Sequence, residues 1–143
     1  MKSRQAANQV RIIAGTWRGR RLSFDPVPGL RPTPDRVRET LFNWLMLWLP
    51  GKRCLDLFAG TGAVGVEALS RGARHCTFIE DAAEARGVIR RNMEALGLNG
   101  VAKILRRDAE GVRFESTNGF YNRRRRPSAL GWKSPLALER KAA

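Results

Sequence analysis

The sequence contains few of the residues from which metal centres and disulfide frameworks are built. It has two cysteines, Cys54 and Cys76, and a single histidine, His75, in 143 residues. Structural metal sites need about four such ligands at short spacings, and disulfide-stabilised domains need several cysteine pairs. No apolar run reaches the roughly 20 residues of a membrane span, and polar residues rather than a signal segment follow Met1. We therefore expect buried thiols, no metal, no membrane and a cytoplasmic location.

Acidic residues are scarce, with 13 Asp and Glu against 27 Lys and Arg, so the net charge is +14. The excess lies in the two flanks, because residues 1–53 hold 11 basic and 3 acidic side chains while residues 54–111 hold 8 of each. Clustered cations gain affinity for nucleic acids by releasing counterions from phosphates. The basic flanks therefore predict an RNA partner, and a merely solubilising surface is the alternative.

The apolar pattern predicts one α/β domain in three parts. Residues 1–53 form a basic β-hairpin, with strands at 10–14 and 20–24, and a helix that begins at Thr33-Pro34 and ends at Pro50. Residues 54–111 form a βαβαβ core, and residues 112–143 form a basic tail with weak periodicity that we expect to be poorly ordered. The side chains predicted to face the core from the first helix are Val37, Leu41, Trp44, Leu45 and Trp48.

A glycine-rich turn follows the first strand of the core. Gly60 and Gly62 lie between this strand and a helix, an arrangement that lets backbone N–H groups approach a ligand. The spacing also fits a dinucleotide-binding turn, but Asp56 stands inside the strand, where a carboxylate suits the cationic S-adenosylmethionine better. Glu80 ends the next strand, where a carboxylate can accept hydrogen bonds from both ribose hydroxyls. A turn without a ligand is the remaining alternative.

Five stretches together closely resemble the bacterial 16S ribosomal RNA guanine-N2 methyltransferases: residues 11–15 (RIIAG), 18–20 (RGR), 31–33 (RPT), 35–43 (DRVRETLFN) and 56–62 (DLFAGTG). The resemblance implies a class I methyltransferase of Rossmann-like fold that transfers the methyl group of S-adenosylmethionine to a guanine amine in the small ribosomal subunit. We expect the chain to be a monomer. The candidate cofactor-binding residues are Asp56, Phe58, Ala59, Gly60, Thr61, Gly62, Glu80, Asp108 and Ala109. The candidate RNA-binding residues are Arg11, Arg18, Arg20, Arg21, Arg36 and Arg38.

One element of this family has no counterpart in the sequence. Its members carry an Asp- or Asn-Pro-Pro-aromatic motif after a fourth strand, which holds the target base, and no adjacent prolines occur here. We therefore hypothesise a chain that is truncated or frame-shifted after about residue 110, with slow or absent methyl transfer and no assignable catalytic residue. The strand at 54–58 would then have an unpaired edge and the fold marginal stability. The alternatives are a non-catalytic RNA-binding fragment and, from glycine spacing alone, a nicotinamide-dependent oxidoreductase.

Overall fold

The computed structural model describes residues 8–106 and the backbone of residues 119–122, and it contains six strands and three helices in these ranges. In chain order the elements are β1 (Asn8–Arg11), β2 (Arg21–Phe24), α1 (Asp35–Leu45), β3 (Arg53–Asp56), α2 (Ala63–Ser70), β4 (His75–Ile79), α3 (Ala83–Leu96), β5 (Ala102–Leu105) and β6 (Gly119–Asn122). None of the helices in these ranges is long and apolar enough to cross a bilayer.

The centre of the fold is a parallel sheet with the strand order β5-β4-β3-β6. Strand β3 pairs with β4 through Cys54 and Cys76, and helices α2 and α3 make the crossovers between parallel neighbours. Parallel strands require such crossovers, which is why apolar strands alternate with amphipathic helices in the sequence. The α/β class and the Rossmann-like sheet are confirmed.

The outer edge of β3 is paired, so the prediction of an unpaired edge is wrong. Strand β6 lies parallel to β3, with Cys54 opposite Phe120 and Asp56 opposite Asn122. Pairing of this kind uses backbone donors and acceptors, which any extended segment supplies whatever its side chains. Hydrophobic periodicity gives no information about a strand of four residues, so β6 could not be predicted from the sequence.

The two faces of the sheet differ in burial. Cys54, Asp56, Cys76 and Phe78 lie on the buried face, against α2 and α3. Helix α2 approaches this face so closely that a Cβ atom on Gly65 would lie 2.3 Å from the Phe78 ring. Every residue of α2 is buried, so this helix is the centre of the packed core.

The amino-terminal hairpin is present, with shorter strands than predicted. Strands β1 and β2 pair in antiparallel fashion with Val10 opposite Leu22, and both side chains are buried. The hairpin packs on α3, where the Asn92 side-chain amide donates to the Ser23 carbonyl at 3.2 Å. Its side chains therefore belong to the same core as the parallel sheet.

Helix α1 presents a different face to the core from the one predicted. Of the five predicted core residues, Leu41 and Leu45 are half-buried, whereas Val37, Trp44 and Trp48 are 52%, 74% and 69% exposed. Arg38 and Phe42 are fully buried instead. The reason is a buried carboxylate on α2, described below, which binds the Arg38 guanidinium and rotates the apolar stripe away from the core.

Candidate functional site

The glycine-rich turn closes over the carboxyl ends of β3 and β4. Gly60 and Gly62 have φ angles of 54° and 80°, in the left-handed region that glycine adopts without strain. The Ala59 N–H donates to the Ile79 carbonyl at 3.1 Å, and the Gly62 N–H donates to the Ala59 carbonyl at 2.7 Å. These bonds fix the turn at the edge of the sheet where open α/β sheets bind ligands.

Asp56 is the last residue of β3 and stands at this same edge. It is buried, with 3% of its surface exposed. Its charge acts on the neighbouring thiol, because burial raises the pKa of Cys54 to about 11 and Asp56 contributes to the increase. A buried carboxylate at this edge favours a cationic ligand group.

Glu80 follows β4 directly, and its carboxylate is hydrogen-bonded to the glycine-rich turn. Oε2 accepts from the Gly60 N–H at 2.8 Å, and Oε1 accepts from the Ala82 N–H at 3.1 Å. The Arg86 guanidinium donates to the Glu80 backbone carbonyl at 3.1 Å, which fixes the segment after β4. Glu80 thus has a defined position beside Gly60, and each carboxylate oxygen retains a lone pair for a second donor.

The other candidate cofactor residues lie partly in the glycine-rich turn and partly in a segment that the structure does not describe. Ala59, Gly60, Thr61 and Gly62 are buried in the turn, whereas Phe58 is 37% exposed. Strand β5 ends at the same edge of the sheet, because the Glu80 N–H donates to the Leu105 carbonyl at 3.2 Å. Asp108 and Ala109 follow β5 but lie outside the described residues.

Comparison with known proteins places this geometry in a family. The family model described as "Conserved hypothetical protein 95" matches residues 10–120. The chain belongs to this family. Two curated relatives are named ribosomal RNA small subunit methyltransferase D: one from Haemophilus influenzae, 52% identical over 91 residues, and one from Escherichia coli, 61% identical over 74 residues. Methyltransferase relatives and the parallel sheet together confirm the class I methyltransferase fold.

The match to this methyltransferase family covers only part of its relatives. The aligned segments are 64% and 52% of this chain and 47% and 37% of those two relatives. The solved structure of a candidate methyltransferase from Escherichia coli aligns with 71% of this chain and 55% of its own, at 51% identity and a TM-score of 0.63. The chain spans about half the length of the relatives it matches.

Five of the six arginines predicted to contact RNA lie on the surface of this methyltransferase domain. They are Arg11, Arg18, Arg20, Arg21 and Arg36. The sixth, Arg38, is fully buried, so its assignment to the RNA surface is wrong. Its Nε donates to the Thr33 carbonyl at 3.1 Å, and its guanidinium pairs with Asp35 and Glu67. A buried guanidinium needs this complete set of acceptors, and it has no access to a phosphate.

Glu67 makes this arrangement possible, and its role was not predicted from the sequence. Its side chain is fully buried in the middle of α2. One carboxylate oxygen accepts from the Ile13 N–H at 2.9 Å and from Arg38 at 3.1 Å. The other accepts from the Ala14 N–H at 3.0 Å and from Arg71 at 2.9 Å. A lone glutamate inside an otherwise apolar helix was the signal available in the sequence.

Proposed function

We propose that this chain binds S-adenosylmethionine at the carboxyl edge of its sheet. The observation that carries the proposal is the hydrogen bond from the Gly60 N–H to Glu80, which holds a carboxylate beside the glycine-rich turn. Asp56, at the end of the adjacent strand, supplies a second carboxylate. In this proposal Asp56 accepts the α-ammonium group of the cofactor, and Glu80 accepts its ribose hydroxyls.

The donor set fits this cofactor better than a nicotinamide dinucleotide. A carboxylate at the position of Glu80 suits the ribose of either cofactor, but a dinucleotide also places its pyrophosphate at such a turn, where the buried Asp56 carboxylate would repel it. S-adenosylmethionine instead carries a sulfonium and an ammonium group, for which a negative edge is favourable.

The proposed substrate is the exocyclic N2 amine of a guanine in small-subunit ribosomal RNA. The names of the two curated relatives and the five candidate arginines that are exposed support an RNA substrate. When bound, the cofactor supplies an electrophilic methyl group. The residues of this chain orient the cofactor and bind RNA phosphates, with Arg11, Arg18, Arg20, Arg21 and Arg36 as the proposed RNA contacts.

We expect methyl transfer by these 143 residues to be slow or absent. A guanine amine is conjugated and reacts only when polar acceptors orient it and the base is held out of its stack. The Asp- or Asn-Pro-Pro-aromatic motif that would do this does not occur in the sequence. The second candidate function is therefore RNA binding without catalysis, which the basic hairpin favours.

Isothermal titration with S-adenosylmethionine and with its demethylated product tests the cofactor site. We expect both to bind, and we expect Asp56→Asn to weaken S-adenosylmethionine roughly tenfold or more, because a hydrogen bond to a charged group contributes about 1.5–3 kcal/mol. Glu94→Gln is the matched control, since Glu94 is exposed on α3. Binding of NADH instead of S-adenosylmethionine, or equal affinities for all three proteins, would refute the proposal.

Radiolabelled methyl transfer to unmodified small ribosomal subunits then separates the two candidate functions. If the chain binds both the cofactor and RNA but transfers no methyl group, the result would support RNA binding without catalysis, in a chain that lacks the motif needed to hold the target base. Transfer at a rate typical of enzymes would show that other residues of the chain replace the missing motif, and it would refute the expectation of inactivity.

A further inference from the structure

A second group of cations lies at the opposite edge of the sheet from the glycine-rich turn. Lys52, Arg53, Arg74 and Lys103 are all exposed, and they stand at or near the amino ends of β3, β4 and β5. The Arg74 N–H donates to the Lys52 carbonyl at 2.8 Å, which holds the two segments together. None of the four side chains forms an ion pair with another described residue. We call these four residues the amino-edge cluster.

The register of the strands brings the charges of this cluster together around His75. Arg53 lies opposite His75, and Lys103 lies opposite Thr77, two residues further along the same face of β4. Burial lowers the pKa of His75, and Arg53, Lys103 and Arg74 lower it further by repulsion. The cations are therefore close enough to His75 to disfavour a positive charge on it, and none of them has an acidic partner within ion-pair distance among residues 8–106.

The amino-edge cluster borders the same turn as the arginine-rich hairpin. The Thr16 N–H donates to the Ser70 carbonyl at 2.8 Å, and the Gly51 N–H donates to the Gly72 carbonyl at 2.8 Å. The hairpin loop, which leads to the exposed Arg18, and the segment before β3 are thus both attached to the carboxyl end of α2. The two basic groups are neighbours on the surface rather than isolated patches.

We propose that the amino-edge cluster is a phosphate-binding surface for RNA, which extends the hairpin surface along the edge of the sheet opposite the cofactor turn. This inference rests on the proposed RNA substrate but does not depend on cofactor binding. A ligand with regularly spaced negative charges relieves the mutual repulsion of the four cations and releases counterions. Strand β3 has four residues and separates the two edges by about 13 Å, so RNA held here is anchored away from the reacting base.

The test measures the salt dependence of binding to a fluorescently labelled RNA hairpin without cofactor. Two double variants, Lys52→Gln with Arg74→Gln and Arg53→Gln with Lys103→Gln, each remove two positive charges from exposed positions. Each lost phosphate contact reduces the slope of log K against log salt by about 0.7–0.9, so each double variant should lower its magnitude by about 1.4–1.8. Thermal melting confirms that the variants are folded.

The matched control removes the same charge from the outer surface of α3, as Arg90→Gln with Arg91→Gln. Both arginines are exposed, and Arg91 is already paired with Asp25 at 2.9 Å, so we expect little change in the slope. An equal loss in all three double variants would show that net charge alone attracts RNA, which overturns the proposal. Unchanged binding in both amino-edge variants, or equal competition by polyglutamate, would also overturn it. Titration with S-adenosylmethionine on the same samples reports the cofactor site separately, so the two proposals fail independently.

Discussion

Replacing Glu67 by alanine should destabilise the fold more than any surface change of the same kind. The carboxylate has four donors, which are the backbone N–H groups of Ile13 and Ala14 and the guanidinium groups of Arg38 and Arg71. Without it, the fully buried Arg38 keeps only Thr33 and Asp35 as acceptors, and two backbone donors of the hairpin lose their partner.

The expected loss is about 3–5 kcal/mol, which is the usual result of removing one member of a buried ion pair. Since the free energy of unfolding of a domain of this size is about 5–15 kcal/mol, Glu67→Ala should remove a large part of it and leave a fraction of the molecules unfolded. Glu67→Gln keeps the shape and one acceptor oxygen but loses the charge opposite Arg38, so we expect a smaller loss, about 1.5–3 kcal/mol.

Urea unfolding followed by circular dichroism measures these losses, with Glu94→Ala on the exposed surface of α3 as the control. The control should stay within about 0.5 kcal/mol of the parent chain. A double variant, Arg38→Met with Glu67→Leu, should lose less than the sum of the single changes, because no buried charge remains unpaired. If Glu67→Ala matched the control, the buried network would not stabilise the fold and the reasoning would be refuted.

Three further predictions concern other described residues. Gly15→Ala should destabilise the hairpin loop, because Gly15 has a φ of 86° and an added Cβ would lie 1.9 Å from the Ser70 carbonyl oxygen. Gly19→Ala is the control in the same melting assay: Gly19 has a φ of 82°, but its added Cβ would meet no atom within 4 Å, so this variant measures the backbone strain alone. The Cys54 thiol, whose burial raises its pKa to about 11, should resist alkylation by iodoacetamide at pH 8 until urea unfolds the chain, and rapid labelling of the folded protein would contradict its burial. The pKa of His75 is lowered in the folded state, so the unfolded chain takes up a proton at this residue at a higher pH than the folded chain does. The residue should therefore reduce stability as the pH falls through 6.5, its ordinary pKa, and a His75→Gln variant with an unchanged pH profile of melting would show otherwise.

The parts of the fold that the sequence predicted correctly are those in which local chemistry determines geometry. A glycine turn between an apolar strand and a helix has few possible conformations, and the φ angles of Gly60 and Gly62 agree with the expected close approach of the backbone. The position of Glu80 at the end of the second parallel strand follows from the length of the intervening helix. These signals span fewer than about 30 residues, within the reach of a single βαβ unit.

The errors concern contacts between distant residues. Helical periodicity correctly predicted the helix α1 but not its buried face. It could not show that Arg38 would be buried, because Glu67 lies 29 residues away. The partner of the β3 edge likewise comes from residues 119–122, more than 60 positions further along the chain. Neither a buried ion pair nor a backbone-only pairing leaves a periodic pattern. The lone glutamate in the apolar helix α2 indicated a buried charge, but nothing in the sequence identified Arg38 as its partner.

Helix α2 physically connects the two halves of the proposed function. It begins after Gly62, in the turn that the proposed cofactor would contact, and it ends at Ser70, whose hydroxyl donates to the Ala14 carbonyl at 2.6 Å. Eight residues of helix are about 12 Å long, and every one of them is buried. A rigid, buried helix transmits its orientation from one end to the other, because neither end can rotate without opening the core. The hairpin therefore takes its position from the same element that forms the glycine-rich turn. Under the proposed function, Glu67 and Ser70 would set where RNA lies relative to the methyl donor without touching either.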